Sequence, residues 1–182
     1  MNIANKLTLF RVILVPVFMV FLLGGFKNGQ YIATVIFIVA SLTDMLDGHL
    51  ARSRNLVTNF GKFMDPLADK ILVSSALISF IELGKVPAWV VVVIIAREFI
   101  ISGLRVLAAS DGITIAASKL GKTKTITQLI AIISILINNW PFRYINFPFD
   151  QVMIYVAMIA TVVSGIDYIY KNRKVFSSDA NK

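Results

Sequence analysis

Six apolar stretches of roughly twenty residues punctuate this chain, at about 7–24, 31–51, 63–83, 87–108, 123–140 and 149–170. A bilayer core is crossed by about 20 mostly apolar residues in helical form, because backbone groups in lipid must be satisfied within their own segment. Each stretch predicts one membrane-spanning helix. Together they predict an all-α integral membrane bundle of six transmembrane helices, a single domain over residues 1–182. Polar breaks divide the runs: Gly24-Gly25 and Asn28-Gly29, then Gly84 with Pro87, then Pro141 to Pro148. At 57% hydrophobic residues and a mean hydropathy of +0.79, soluble-domain composition is excluded. No cysteine is present, which excludes disulfide and thiolate chemistry. Lys6 and Arg11 accompany the first run, but no small-residue cleavage site follows it, so a cleaved leader is not expected.

The net charge of +8 could suit nucleic acid, yet the cations flank apolar runs instead of forming an arm. An anionic membrane face and a phosphate-bearing substrate fit better, and no nucleic-acid partner is expected. Charge also sets the orientation. The N-terminus, the 52–62 and 109–122 loops and the C-terminus gather most Lys and Arg, and the opposite side keeps only Lys27, Lys85 and Arg143. By the positive-inside rule both termini face the cytoplasm. Trp89, Trp140, Phe142, Tyr144 and Phe147 then fall at the outer interface, as an aromatic belt does.

Against this apolar background four carboxylates crowd into one region: Asp44, Asp47, Asp65 and Asp69. Intramembrane acids are costly and mark function by default. Asp44 and Asp47 are three apart, Asp65 and Asp69 four apart, so each pair shares a helix face. Two antiparallel neighbouring spans would bring both pairs to similar depth near the cytoplasmic side. Four carboxylates make a cage of hard oxygens suited to Mg²⁺ or Mn²⁺, and they can hold two such ions, as in two-metal displacement sites. Gly48, Ala51 and Gly61 leave room beside the cage, and Arg52 is placed to hold a phosphate. The plain alternative is ion pairing of the acids with Arg52, Arg54 and Lys70, which would not demand this spacing.

The spacing D-x2-D-G-x2-A-R-x8-G-x3-D-x3-D resembles the signature of the CDP-alcohol phosphotransferase family at all eight fixed positions. That resemblance extends across essentially the whole chain. It implies a bimetal membrane enzyme that cleaves a CDP-linked substrate and releases CMP. By it, Asp44, Asp47 and Asp65 bind one cation and Asp44, Asp65 and Asp69 the second. Asp69 is also the expected general base. Gly48, Ala51 and Arg52 would line the CDP pocket, with Ser41 one turn before Asp44. The resemblance further implies a homodimer.

A second stretch bears on the acceptor. R-E-F-I-I-S-G-L-R runs from Arg97 to Arg105, and A-S-K-L-G-K-T-K-T from Ala117 to Thr125. Arg97 and Arg105, eight apart, share a helix face. With Lys119, Lys122 and Lys124 they could form a cationic pocket for a phosphorylated acceptor. This region and the opening N-K-L-T-L-F-R resemble the family branch that joins CDP-diacylglycerol to glycerol 3-phosphate. That implies these two substrates, with Asn5 and Thr8 helping to hold the nucleotide or its phosphates. Plainer readings stand beside these: an Arg97–Glu98 ion pair, ordinary positive-inside lysines, an interfacial His49, and Asn5 and Thr8 as helix caps. Three other functions also remain open at this point. One is the same chemistry on inositol phosphate, another is the same chemistry on serine or phosphatidylglycerol, and the third is divalent-cation transport.

Overall fold

In the computed structural model the backbone is described for residues 3–53, 59–110, 113, 115 and 118–177. Side chains are described for residues 8–43, 67–110, 113, 115 and 118–173. Six α-helices and one short 3₁₀ turn make up the regular structure of these residues, and no strand occurs among them. They are α1 (Ile3–Leu23), α2 (Gly29–Ser53), α3 (Asn59–Glu82), α4 (Ala88–Ser110), α5 (Lys119–Leu136) and α6 (Phe149–Ser177), with the 3₁₀ turn at Phe142–Ile145. The all-α class and the six helices match the sequence expectation. Within α6, Phe149–Arg173 is long and apolar enough to cross a membrane. Shorter apolar runs occupy Thr8–Leu23 and Gly29–Thr43.

The helix ends follow from local chemistry. α3 stops where Gly84 adopts φ +65°; there Lys85 N donates to Phe80 O at 2.9 Å and Gly84 N to Ile81 O at 2.9 Å. That pair of bonds is a Schellman closure, which favours glycine at its left-handed position. Ser118 starts α5: its Oγ accepts from Gly121 N at 3.0 Å, as an N-cap does. α5 ends four residues before the apolar run does. Asn138 and Asn139 turn to φ +53° and +59°, a conformation asparagine tolerates. Hydropathy extends the expected span to Trp140, but the backbone leaves the helix at the asparagines.

Two compact units arise from these helices, Met1–Lys85 with Leu136–Asn138, and Val86–Ile135 with Asn139–Lys182. In the first, α1 packs on both α2 and α3, and α2 touches α3. Phe18, Phe37, Leu72, Leu77 and Phe80 fill its core with Ala33, Ala40, Ala68 and Ala76. The small alanines let the helix backbones approach closely. Within this unit Gln30 holds the Leu136–Asn138 segment, donating to Leu136 O at 2.7 Å and to Asn138 Oδ1 at 2.8 Å. In the second unit α4 packs on α6.

α6 is patterned in reverse of a soluble helix. It buries Thr161, Ser164 and Gly165 and exposes Ile159, Val162, Val163 and Ile166. α2 likewise exposes Val35, Val39 and Leu42 while burying Thr34. Helices that turn branched apolar side chains outward and hydroxyls inward suit a lipid surround.

Candidate active site

The signature spans the end of α2 and the start of α3. Asp44, Asp47, Gly48, Ala51 and Arg52 lie on the last turns of α2, and Gly61, Asp65 and Asp69 on the first turns of α3. Ser53 ends α2 and Asn59 begins α3, six positions apart, and the two helices touch. Counted from these ends at 1.5 Å per residue, Asp47 and Asp65 each lie about 9 Å in, and Asp44 and Asp69 about 14–15 Å in. By residue count, the backbone positions of Asp47 and Asp65, and of Asp44 and Asp69, thus lie at similar distances from their helix ends.

Asp69 is half-buried on α3, and Ser41 is half-buried on α2. The side chains of Asp44, Asp47, Gly48, Ala51, Arg52, Gly61, Asp65 and Asn5, and of His49, lie outside the described residues. Among the described residues no three His, Cys, Asp or Glu side chains gather as metal ligands. The donor set that the backbone places at these positions is four carboxylates without sulfur. Its hard oxygens at i,i+3 and i,i+4 spacing fit divalent cations of the Mg²⁺ or Mn²⁺ kind. Asn5 and Thr8 both fall inside α1, not at a cap, and Thr8 is buried.

The second unit holds a charged cluster. Lys124 on α5 is buried and forms a close ion pair with Glu98 of α4. Arg97 Nη1 stands 3.7 Å from the same Glu98 oxygen, so the Arg97–Glu98 contact expected as a plain alternative is present, though long. Arg97 Nη2 donates to Ser164 Oγ on α6 at 2.9 Å, and Ser164 in turn donates to Thr161 O at 3.0 Å. Gly165 makes this crossing feasible, since a Cβ there would lie 3.1 Å from Arg97 Cγ. Arg105 and Tyr168 are electrostatic neighbours of Arg97. Arg105 itself is exposed and donates to Ile115 O at 3.4 Å.

Of the five cations expected to bind acceptor phosphate, the structure joins Arg97 and Lys124 through Glu98 and sets Arg105 within electrostatic reach. It leaves Lys119 and Lys122 exposed at the start of α5. Arg97, Lys124 and Glu98 thus form the buried to half-buried part of this cluster, with Arg105 exposed beside it. Arg97 Nε and the Tyr168 hydroxyl are buried donors with no hydrogen-bond partner. Buried polar groups are normally satisfied, so these two orphan donors are exceptions that call for a partner. Ser164, Gly165 and Tyr168 were not singled out by the sequence, and Glu98 only as an ion-pair partner of Arg97. The run T-x2-S-G-x2-Y from Thr161 to Tyr168 carries small and hydroxyl residues at helical spacing inside an apolar span, and could have flagged them.

Comparisons with known proteins agree on one family. Residues 1–163 match CDP-alcohol phosphatidyltransferase. A Bacillus subtilis protein named CDP-diacylglycerol–glycerol-3-phosphate 3-phosphatidyltransferase is 47% identical, over 94% of this chain and 95% of its own length. Relatives of the same name from Wigglesworthia glossinidia brevipalpis and Rickettsia bellii are 40% and 32% identical, covering 93% and 96% of this chain and 94% and 97% of theirs.

Proposed function

The chain belongs to the CDP-alcohol phosphatidyltransferase family, and on that premise we propose that it transfers the phosphatidyl group of CDP-diacylglycerol to glycerol 3-phosphate. The products are phosphatidylglycerophosphate and CMP. The chain is a transferase, so the cation-transport alternative gives way. The observation that carries the choice of acceptor is the gathering of Arg97 and Lys124 about Glu98, with Arg105 beside them and the orphan donors Arg97 Nε and Tyr168 hydroxyl. A phosphate monoester dianion carries charge opposite to these cations and accepts from such donors. Serine and phosphatidylglycerol carry no phosphate monoester to match. The relatives named for glycerol 3-phosphate favour it over an inositol phosphate.

Asp44, Asp47, Asp65 and Asp69 would hold two divalent cations, Mg²⁺ or Mn²⁺, which when bound supply charge neutralisation at the diphosphate oxygens. Arg52 binds a phosphate of the CDP group, Gly48, Ala51 and Gly61 leave room for the nucleotide, and Ser41, Asn5 and Thr8 assist in holding it. Arg97 and Lys124 fix the acceptor phosphate, with Arg105 nearby and Lys119 and Lys122 at the cytoplasmic entry. Holding the acceptor in one pose converts a bimolecular encounter into an oriented attack. The glycerol C1 hydroxyl attacks the lipid-side phosphorus in line. The new O–P bond forms as the bond to CMP breaks, Asp69 takes the hydroxyl proton, and CMP leaves.

All six helices span the bilayer in this reading, with both termini and the site cytoplasmic, and the chain acts as one domain in a homodimer. Supporting it are the outward branched side chains of α2 and α6 and the cation asymmetry of the loops. The lipid tails can then stay in the bilayer while the headgroup reaches polar side chains. A test is to incubate purified protein with CDP-diacylglycerol and, in turn, glycerol 3-phosphate, inositol phosphate, serine and phosphatidylglycerol, identifying lipids by mass spectrometry. Phosphatidylglycerophosphate from glycerol 3-phosphate alone is the expected result. A lipid product with another acceptor, and none with glycerol 3-phosphate, would overturn it.

A further inference from the structure

Gln128 lies one turn beyond Lys124 on α5 and is 3% exposed. Neither its amide nitrogen nor its amide oxygen has a hydrogen-bond partner. An orphan amide in a buried, lipid-surrounded unit is expensive at both ends. Residues four apart on a helix share a face, with Cβ atoms about 5–6 Å apart. Gln128 therefore adjoins the lysine that pairs with Glu98. The next turn of that face is apolar, with Ala131, Ile132 and Ile135 all buried. Gln128 thus marks the inner limit of the polar region.

The two orphan atoms differ in kind. Arg97 Nε can only donate, and a phosphate dianion satisfies it. The Gln128 carbonyl needs a donor, which a phosphate dianion does not offer. The hydroxyls beside it on α5 are already committed: Thr127 Oγ1 donates to Lys124 O at 2.9 Å, and Thr125 Oγ1 to Gly121 O at 3.1 Å. A ligand group that gives one hydrogen bond and takes another would satisfy both ends of the amide, and an alcohol is the simplest such group. In a three-carbon phosphate the middle hydroxyl lies from phosphorus within about 5.4 Å, one helical turn.

We infer that Gln128 is a specificity-determining residue that exchanges hydrogen bonds with the non-reacting C2 hydroxyl of the acceptor. This rests on the glycerol 3-phosphate reading above and adds the means by which the site reads the glycerol carbons. Such a site rejects an acceptor that lacks the hydroxyl, because the amide then stays buried and unpaired.

The experiment compares wild type and Gln128→Met, full-length and purified, with glycerol 3-phosphate and with 3-hydroxypropyl phosphate, which lacks only the C2 hydroxyl. Wild type is expected to prefer glycerol 3-phosphate. Gln128→Met is expected to lower kcat/KM for glycerol 3-phosphate roughly 10- to 100-fold. The deoxy acceptor is expected to change less than about twofold and the KM for CDP-diacylglycerol not at all, so that the preference collapses. Equal losses on both acceptors, or an unchanged preference, would overturn the role of Gln128 while leaving the glycerol 3-phosphate reading intact. A wild type that makes no lipid from glycerol 3-phosphate would overturn both. If Gln128→Met does not fold, Gln128→Asn, which keeps both amide atoms but loses reach, is expected to lose the preference as well, and a retained preference counts against the inference.

Discussion

The two helical units bury different chemistries. The unit of α1 to α3 packs phenylalanine against alanine: Phe18 and Phe37 meet with ring centroids 5.9 Å apart, and Ala33, Ala40, Ala68 and Ala76 are wholly enclosed. The unit of α4 to α6 has no buried phenylalanine among its described residues. Its core is Val90, Val91, Ile94, Ile132, Ile135 and Ile154, interrupted by Lys124, Gln128, Thr161 and Ser164. That aromatic–alanine core also encloses Thr8, Arg11, Thr34 and Ser79, so its polar groups lie beside rings and methyls instead of branched side chains. Such close packing suits helices proposed to hold a fixed site near their ends. A β-branched core pierced by a lysine, an amide and hydroxyls tolerates that cost only where a ligand or an internal partner answers it. The first unit is accordingly read as the holder of the cations and the reacting phosphorus, and the second as the reader of the acceptor.

The strongest test of that division is chelation. Removing divalent cations with EDTA is expected to abolish CMP release, and adding Mg²⁺ or Mn²⁺ to restore it; activity surviving thorough chelation would break the assignment of the first unit. Next in size is Asp69→Asn. With its proton acceptor gone, kcat is expected to fall roughly 10²- to 10⁴-fold while the protein stays folded and the KM for glycerol 3-phosphate barely moves. A predominant KM effect would place Asp69 with the acceptor instead. Smaller again is Arg97→Ala. Losing a buried guanidinium that holds an anion is expected to raise the KM for glycerol 3-phosphate about 10- to 100-fold and to leave the KM for CDP-diacylglycerol within about twofold. Equal effects on both substrates would erase the contrast between the units.

Much of this contrast was legible in the sequence, but unevenly. The expected spans 87–108 and 149–170 start within a residue of α4 and α6, because Pro87 and Pro148 set the helix starts as firmly as hydropathy does. The far ends were less legible: α6 runs on to Ser177, where the Asp167–Lys171 ion pair at 2.8 Å supports a helix too polar for a hydropathy window. The acids announced themselves because charge within apolar sequence is rare. Arg97 and Lys124 did so for the same reason. Glu98 was visible only as a neighbour of Arg97, since nothing in the sequence indicates that a lysine 26 positions on returns to it. Ser164, Gly165 and Tyr168 were hidden because hydroxyls and glycine occur throughout membrane helices as packing residues. What gives them a role is the tertiary pairing of α4 with α6.

The smallest expected effect sharpens the comparison most, because it tests geometry without removing a functional group. Gly165 faces the stem of Arg97, with room for a Cβ only at 3.1 Å from Arg97 Cγ. In Gly165→Ala the arginine stem must shift by a few tenths of an ångström, which would strain the 2.9 Å bond from Nη2 to Ser164. Alanine is a better helix former than glycine by about 1 kcal/mol, so global stability is expected to hold or rise. Catalysis is expected to respond differently. The KM for glycerol 3-phosphate rises several-fold as the guanidinium loses its setting, while kcat and the KM for CDP-diacylglycerol stay near wild type. A stability gain together with a selective KM loss is what a positioning residue in the second unit produces. Unchanged kinetics would mean that Arg97 is held by its other contacts, and a fall in kcat alone would move Gly165 into the chemistry assigned to the first unit.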